Sequence, residues 1–304
     1  MKKPQSIASV LLLLAFTLSP GSFAKQAEDE YSKVEITTTE VSEGIYMLMG
    51  KGGNIGVSTG DDGVFMIDDQ FAPLTTKIKA AISKISDKPI RFLINTHWHF
   101  DHTGGNENMG KDEVIIVAHD NVRQRMTKDN FIEAFDMKVP ASPKVALPVI
   151  TFKDTVTFHL NNQEIQVVHY SNGHTDGDSM VFFKTANVIH MGDNFFNGLY
   201  PFIDSSSDGS VNGMIAAVES VLKIADDKTK IIPGHGPLGD KAALVIYHDM
   251  LITVRDRMQK LLAEGKTLDE IIALKPNADL DEKWGKEFLN PEAFIKILHS
   301  VLPQ

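Results

Sequence analysis

The sequence predicts an α/β protein in which two packed sheets carry helices on their outer sides. Short apolar runs of strand length alternate with longer stretches of helical periodicity, and the strand-rich stretches form two groups, each with helices after it. Several runs also end directly in carboxylates, histidines and glycines, the place where chemistry sits in such folds.

Residues 34–60 alternate β-branched and aromatic residues with Ser, Thr and Gly, as strands joined by tight turns do. The clearest runs are Ile45-Tyr46-Met47-Leu48-Met49 and Asn54-Ile55-Gly56-Val57-Ser58. Asp61-Asp62-Gly63 is a hairpin turn signal, and Val64-Phe65-Met66-Ile67 is a continuous apolar strand that exits into Asp68-Asp69. Leu74, Ile78, Ala81, Ile82 and Ile85 recur at helical spacing, which gives that helix one apolar stripe to lay on a sheet. Pro89 closes it, and a buried strand over 90–95 delivers Thr96-His97 to its end. Strands are expected next at 114–118, 156–160, 165–170, 180–183, 188–191 and 230–232, with helices at 121–135 and 211–225. A helix over 241–263 carries Leu244, Leu251, Val254, Met258 and Leu262 on one stripe and stops at Gly265. Thr267-Leu268-Asp269-Glu270 is a capping box, and Asn290-Pro291 places a cap residue before a first-turn proline. Residues 266–304 are therefore read as a helical extension of a single domain over 25–265.

Residues 1–24 have the pattern of a signal peptide: Lys2 and Lys3, an apolar stretch from Val10 to Phe16, and the small-residue end Ser22-Phe23-Ala24. The stretch is well short of the ~20 residues that span a bilayer. Export to the periplasm or beyond is expected, with no stable membrane insertion after cleavage. Losing two lysines takes the formal net charge from -10 to -12. So acidic a chain repels polyanions, and no nucleic-acid partner is expected. With no cysteine, neither disulfides nor thiolate ligands are available.

His97-Trp98-His99-Phe100-Asp101-His102 concentrates imidazoles and a carboxylate immediately after a strand, and zinc favours such N and O donors. Thr103-Gly104-Gly105-Asn106 permits the turn that would let neighbouring donors face different ions. His174, Asp193 and His235 share the same setting, a strand end with a Gly-rich turn. Two divalent ions need about three ligands each and a bridging carboxylate, with positions left open for water and substrate.

This pattern resembles the His-x-His-x-Asp-His signature of the metallo-β-lactamase superfamily, with the later ligands in the expected order, over about residues 44–236. The resemblance implies a four-layer αββα sandwich of two mixed sheets flanked by helices, with the metal site between the sheet edges. It implies two zinc ions per chain, the first on His97, His99 and His174, the second on Asp101, His102 and His235, with Asp193 bridging. Iron and manganese are the other metals left open. An aspartate at the bridge looks like the glyoxalase-II-like and lactonase branches and departs from the subclasses with a cysteine there. His99 stands where flavodiiron oxidases of the same fold place a glutamate, which disfavours a redox diiron role.

The function so implied is hydrolysis of a small-molecule substrate: a metal-activated hydroxide attacks the carbonyl of a cyclic amide, lactone or thioester, with Asp101 orienting the nucleophile. An iron-dependent persulfide dioxygenase of the same fold and a non-catalytic metal-binding protein are the alternatives. Asp68 is expected to fix a histidine tautomer through its carboxylate, with Asp69 as the competing candidate. Trp98, Phe195, Phe196 and Tyr200 either border the substrate pocket or belong to the core. No oligomeric state follows from the sequence.

Overall fold

The computed structural model describes residues 30–302, so the leader-like segment 1–24 lies outside the described residues. The chain divides into Met1–Val34, in which 30–32 are helical, and Glu35–Gln304, which carries the fold described below.

Strands β1 (Thr37–Ser42), β2 (Ile45–Met49), β3 (Ile55–Ser58) and β4 (Val64–Ile67) form an antiparallel meander. Helix α1 (Thr75–Ile82) crosses over to β5 (Ile90–Ile94), which lies parallel to β4. Helices α2 (Phe100–Thr103) and α3 (Asn106–Lys111) lead to the parallel strand β6 (Ile115–His119), followed by α4 (Asp120–Met126). A separate hairpin, β7 (Asn130–Ile132) and β8 (Met137–Val139), precedes β9 (Ile150–Phe152), which closes the first sheet beside β6.

The second sheet runs in chain order through β10 (Thr155–Leu160), β11 (Gln163–His169), β12 (Ser179–Phe183), β13 (Val188–His190), β14 (Lys230–Ile232) and β15 (Gly239–Asp240). Its parallel step, β13 to β14, passes through helix α5 (Val211–Ile224). Helices α6 (Lys241–Ala263), α7 (Leu268–Leu274), α8 (Ala278–Trp284) and α9 (Pro291–Val301) complete the described chain.

Strand periodicity explains the layering. Val181 and Phe183 face Phe65, Ile67, Ile94 and Val117 of the first sheet, forming one buried cluster between the sheets. Met180 and Phe182 alternate to the other face and join a second cluster with Val218 of α5, Leu251 of α6 and Phe294 of α9. The result is an αββα sandwich of two mixed sheets flanked by helices. Phe294 is fully buried and stacks on Tyr200 with 4.0 Å between ring centroids. Phe294→Ala is expected to cost about 3 to 5 kcal/mol, read as a lower denaturant midpoint at unchanged slope.

One expected element differs. The helix anticipated over 121–135 ends at Met126, and the chain turns into the β7–β8 hairpin instead. Asn130 Nδ2 donates to the carbonyls of Arg125 and Lys128, satisfying acceptors that a continuing helix would have used. Apolar spacing alone could not see this side-chain cap, and the hairpin it creates reaches the site.

Candidate metal centre

The parallel strands converge on one edge of the sandwich, and the polar residues at their exits meet there. Asp68 follows β4, Thr96 to His102 follow β5, Asp193 follows β13 and His235 follows β14, while His174 lies in the β11–β12 loop. Asp193 is the hub: its carboxylate lies 3.1 Å from His102 Nε2, 3.4 Å from His235 Nε2, 3.5 Å from His174 Nε2 and 3.9 Å from His97 Nε2. Asp101 lies 3.3 Å from His235 Nε2 and 3.7 Å from His102 Nε2. His97, His99 and His174 form one close group, Asp101, His102 and His235 a second, and His97, His102 and Asp193 a third between them. The structure thus brings together all seven residues singled out as ligands.

Each ring is held from behind. Thr96 Oγ1 donates to Asp68 Oδ2 at 2.7 Å, so it can only accept from His97 Nδ1, 3.0 Å away. His97 Nε2 is then an unprotonated lone pair, and it is buried with no hydrogen-bond partner. His102 Nδ1 donates to Asp68 Oδ2 at 2.8 Å, and His174 Nδ1 to the Phe202 carbonyl at 2.8 Å. His99 is turned the other way: its Nε2 donates to Asp204 Oδ2 at 2.9 Å, and its Nδ1 lies 2.8 Å from His174 Nε2.

Asp68 therefore acts on two histidines, directly on His102 and through Thr96 on His97. It adopts a left-handed backbone, φ 59°, uncommon for a residue with a side chain. Asp69 instead accepts from the Gly105 amide at 2.9 Å, and burial pushes its carboxyl well above the ordinary range. The turn 50–54 borders the site because only glycine fits: a Cβ on Gly53 would stand 2.0 Å from His102 Cε1.

Asp204 and Asp178 were not anticipated. Asp204 also accepts from the hydroxyls of Ser206 and Ser207, and although burial opposes the charge, His99 and these donors hold the carboxyl far below its usual range. Asp178 accepts from the amides of His174 and Thr175 at 2.6 and 3.0 Å and from the Thr175 hydroxyl at 2.6 Å, which freezes the loop that presents His174. Burial pushes Asp178 up to about 7 against those donors. The signal for Asp178 was its spacing from His174; Asp204 carried no local signal. Asp204→Asn is expected to weaken metal binding about 10–100-fold without unfolding the protein, checked by competition with a chromogenic chelator.

Electrostatics divide the histidines. Burial, reinforced by His102, holds His97 well below its ordinary value, and burial holds His174 at about 4 despite Asp193. Burial also disfavours charge on His102 and His235, but Asp193 and Asp101 outweigh it, so His102 is raised well above its ordinary value and His235 to about 9. Burial would raise the two carboxyls, yet His102 and His235 hold Asp101 at about 2 and Asp193 well below its usual range. In the metal-free protein, protons on His102 and His235 occupy the place of a cation.

Of the four aromatic residues left open between pocket and core, none lines the metal cleft. Phe195 packs on Tyr247 in the core, and Tyr200 stacks on Phe294 with its hydroxyl donating to Asp281 at 2.8 Å. Phe196 is fully buried and stacks behind His235, centroids 5.1 Å apart. Trp98 donates its indole N–H to Ser207 at 3.0 Å and faces a separate cavity of about 130 Å³. The run 195–200 turns inward because helices α6, α8 and α9 supply apolar surface for it. The walls of the metal cleft are instead Phe100, Ile132, Phe135, Phe202 and Phe288. Phe135 and Phe288 come from the unanticipated hairpin and from the segment before α9, which no motif marks.

The model of the metallo-beta-lactamase superfamily matches residues 49–235 of this chain. A metallo-beta-lactamase type 2 from Bacillus cereus is 22% identical over 190 residues, covering 62% of this chain and 69% of that protein. A hydroxyacylglutathione hydrolase from Pelagibacter ubique is 24% identical over 178 residues, covering 57% of this chain and 64% of that protein, so the chain spans less than two thirds of its length. Among solved structures, a metallo-beta-lactamase from Pontibacter korlensis superposes with a TM-score of 0.58 at 19% identity, over 71% of this chain and 99% of that one, a likeness of fold alone. The match extends over more than half of the chain and includes every residue of the histidine and aspartate cluster, and on this ground the chain belongs to the metallo-β-lactamase superfamily of metallo-hydrolases.

Proposed function

We propose that this chain is a hydrolase that holds two divalent ions, zinc by preference, and cleaves the carbonyl bond of a small cyclic amide, lactone or thioester. The observation that carries the reading is His97 Nε2, a buried, unprotonated and unpartnered nitrogen beside Asp193. Leaving such an atom unsatisfied costs about 1–3 kcal/mol, a cost that a metal bond removes. His97, His99 and His174 would hold one ion and Asp101, His102 and His235 the other, with Asp193 between them. Bound metal supplies Lewis acidity, polarising a carbonyl oxygen and lowering the pKa of water toward neutrality.

The chain's own residues do the rest. Asp101 is a fifth exposed and held ionised, so its Oδ2 can accept a hydrogen bond from water at the cleft and orient that water toward the carbonyl. Asp68, Thr96, Asp204 and the Phe202 carbonyl keep the four rings in single tautomers, which prepays the entropy of assembling the ligands.

Protons and metal compete for the same nitrogens. Below about 9 the metal-free His235 is protonated, so the apparent affinity is expected to fall as pH drops, by about tenfold per unit for each proton displaced. Calorimetry in buffers of different ionisation enthalpy should report at least one proton released per chain at pH 7.5 on zinc loading. Metal counting, followed by assays with a chromogenic cephalosporin, an acyl-homoserine lactone and a glutathione thioester, tests the activity. A single iron per chain with dioxygen uptake would replace this reading by the dioxygenase, and full activity in metal-free protein would end it.

A further inference from the structure

Phe135 has two faces. One side of it walls the metal cleft beside His99, Asp101 and His235; it also lines a cavity of about 470 Å³ between the hairpin turn 133–135, Ser205 and helix α9. The two spaces share that one wall, and their linings are neighbours in the chain. Ser205 directly follows Asp204, which holds His99, and Leu289, another wall of the cavity, directly follows Phe288 of the cleft. Phe135 packs on Phe202 at 4.7 Å and on Phe288 at 6.2 Å between centroids, yet Phe135 and Phe288 remain 42% and 50% exposed. The two adjoining rings form an apolar patch beside a polar centre, a surface that a ligand can cover. The cavity is of the size that holds small organic ligands.

Its chemistry selects among ligands. Its lining joins the apolar side chains of Phe135, Leu289, Ala293 and Ile297 to the neutral polar ones of Ser205, Asn290 and Ser300. Its one cation, Lys296, lies 2.7 Å from Glu292 and is already paired, while the Glu133 carboxylate adds negative charge. No Lys or Arg lines the metal cleft among the described residues. With two carboxylates against one cation, the lining disfavours a carboxylate on the ligand, whereas a hydrocarbon chain would lose water from both surfaces.

We propose that this cavity binds the non-reacting part of the substrate, an uncharged apolar group the size of a medium-length acyl chain, laid across Phe135 with the scissile carbonyl in the metal cleft. The proposal rests on the hydrolase reading, and its test separates the two. Zinc-loaded full-length protein is assayed with nitrophenyl esters from butyryl to decanoyl, and the neutral fluorophore N-phenylnaphthylamine is titrated in and displaced by decanamide or decanoate. From butyryl to decanoyl, kcat/KM is expected to rise at least about tenfold, and decanamide should displace the fluorophore at least tenfold more effectively than decanoate. Ala293→Trp, which fills the cavity from α9, should lower fluorophore affinity by about tenfold or more and flatten the chain-length series. Ser300→Trp, on the same wall near the end of α9, makes the same measurement if Ala293→Trp does not fold. Fluorophore affinity that survives both substitutions in folded protein, equal displacement by decanoate, or turnover without chain-length dependence overturns the proposal. Fluorophore binding that behaves as expected in a protein that turns over neither the nitrophenyl esters nor the cephalosporin, lactone and thioester supports the ligand class of the cavity while removing the hydrolase reading.

Discussion

Asp193→Ala is expected to lower turnover on the order of 10³-fold or more and to reduce bound metal to one ion per chain or fewer. Its carboxylate lies within 4 Å of four of the imidazoles, so its loss removes the donor shared by the two ligand groups. The same substitution has a signature that needs neither metal nor substrate. Asp193 is the foremost cause of the raised His235 value of about 9, so in the metal-free variant that histidine should titrate closer to its ordinary value of about 6.5. The sign follows from the charges: removing an anion disfavours the imidazolium, and the proton leaves at lower pH. Histidine resonances followed by NMR titration check this; an unchanged His235 titration in a folded, metal-free Asp193→Ala protein would falsify the electrostatic account of the centre.

Asp68→Ala carries the second large effect. Asp68 is fully buried and accepts three hydrogen bonds, from the Thr96 amide and hydroxyl at 2.7 Å each and from His102 Nδ1 at 2.8 Å. Removing it strands three buried donors and frees the rings of His97 and His102, so a stability loss of about 3 to 5 kcal/mol is expected. Metal affinity should fall by about 10–100-fold in the more conservative Asp68→Asn, which keeps the volume but loses the charge. Asp69→Asn is the comparison that separates orientation from burial. Asp69 is equally buried but bonds to the Gly105 amide alone, so its amide variant should keep the affinity for metal. Equal losses in the two asparagine variants would show that Asp68 contributes burial and not orientation.

Much of the fold was legible because strand and helix periodicities are local. The runs 45–49, 64–67 and 230–232 and the long helix 241–263 lie where the apolar spacing placed them, and the capping box at Thr267 and Glu270 is formed. Where a side chain competes with the backbone the reading failed, as at Asn130, whose amide ends a helix that the apolar pattern would have continued. Edge strands as short as β9 and β15 left no pattern long enough to recognise.

What the residues determined by themselves was the kind of chemistry: imidazoles and carboxylates without a thiolate, spaced along strand exits, and apolar runs sufficient for two sheets. Donor type and short-range periodicity are properties of neighbours in the chain, so they can be read without coordinates. Which nitrogen of each ring faces the centre was decided only by tertiary structure, because the partners that set it stand far off in sequence, Asp68 at 34 residues from His102 and Asp204 at 105 from His99. The walls of the cleft were decided there too, since whether a phenylalanine is core or surface depends on what packs against it. Phe195 and Tyr200 found helices to bury against, and Phe135 and Phe288 did not.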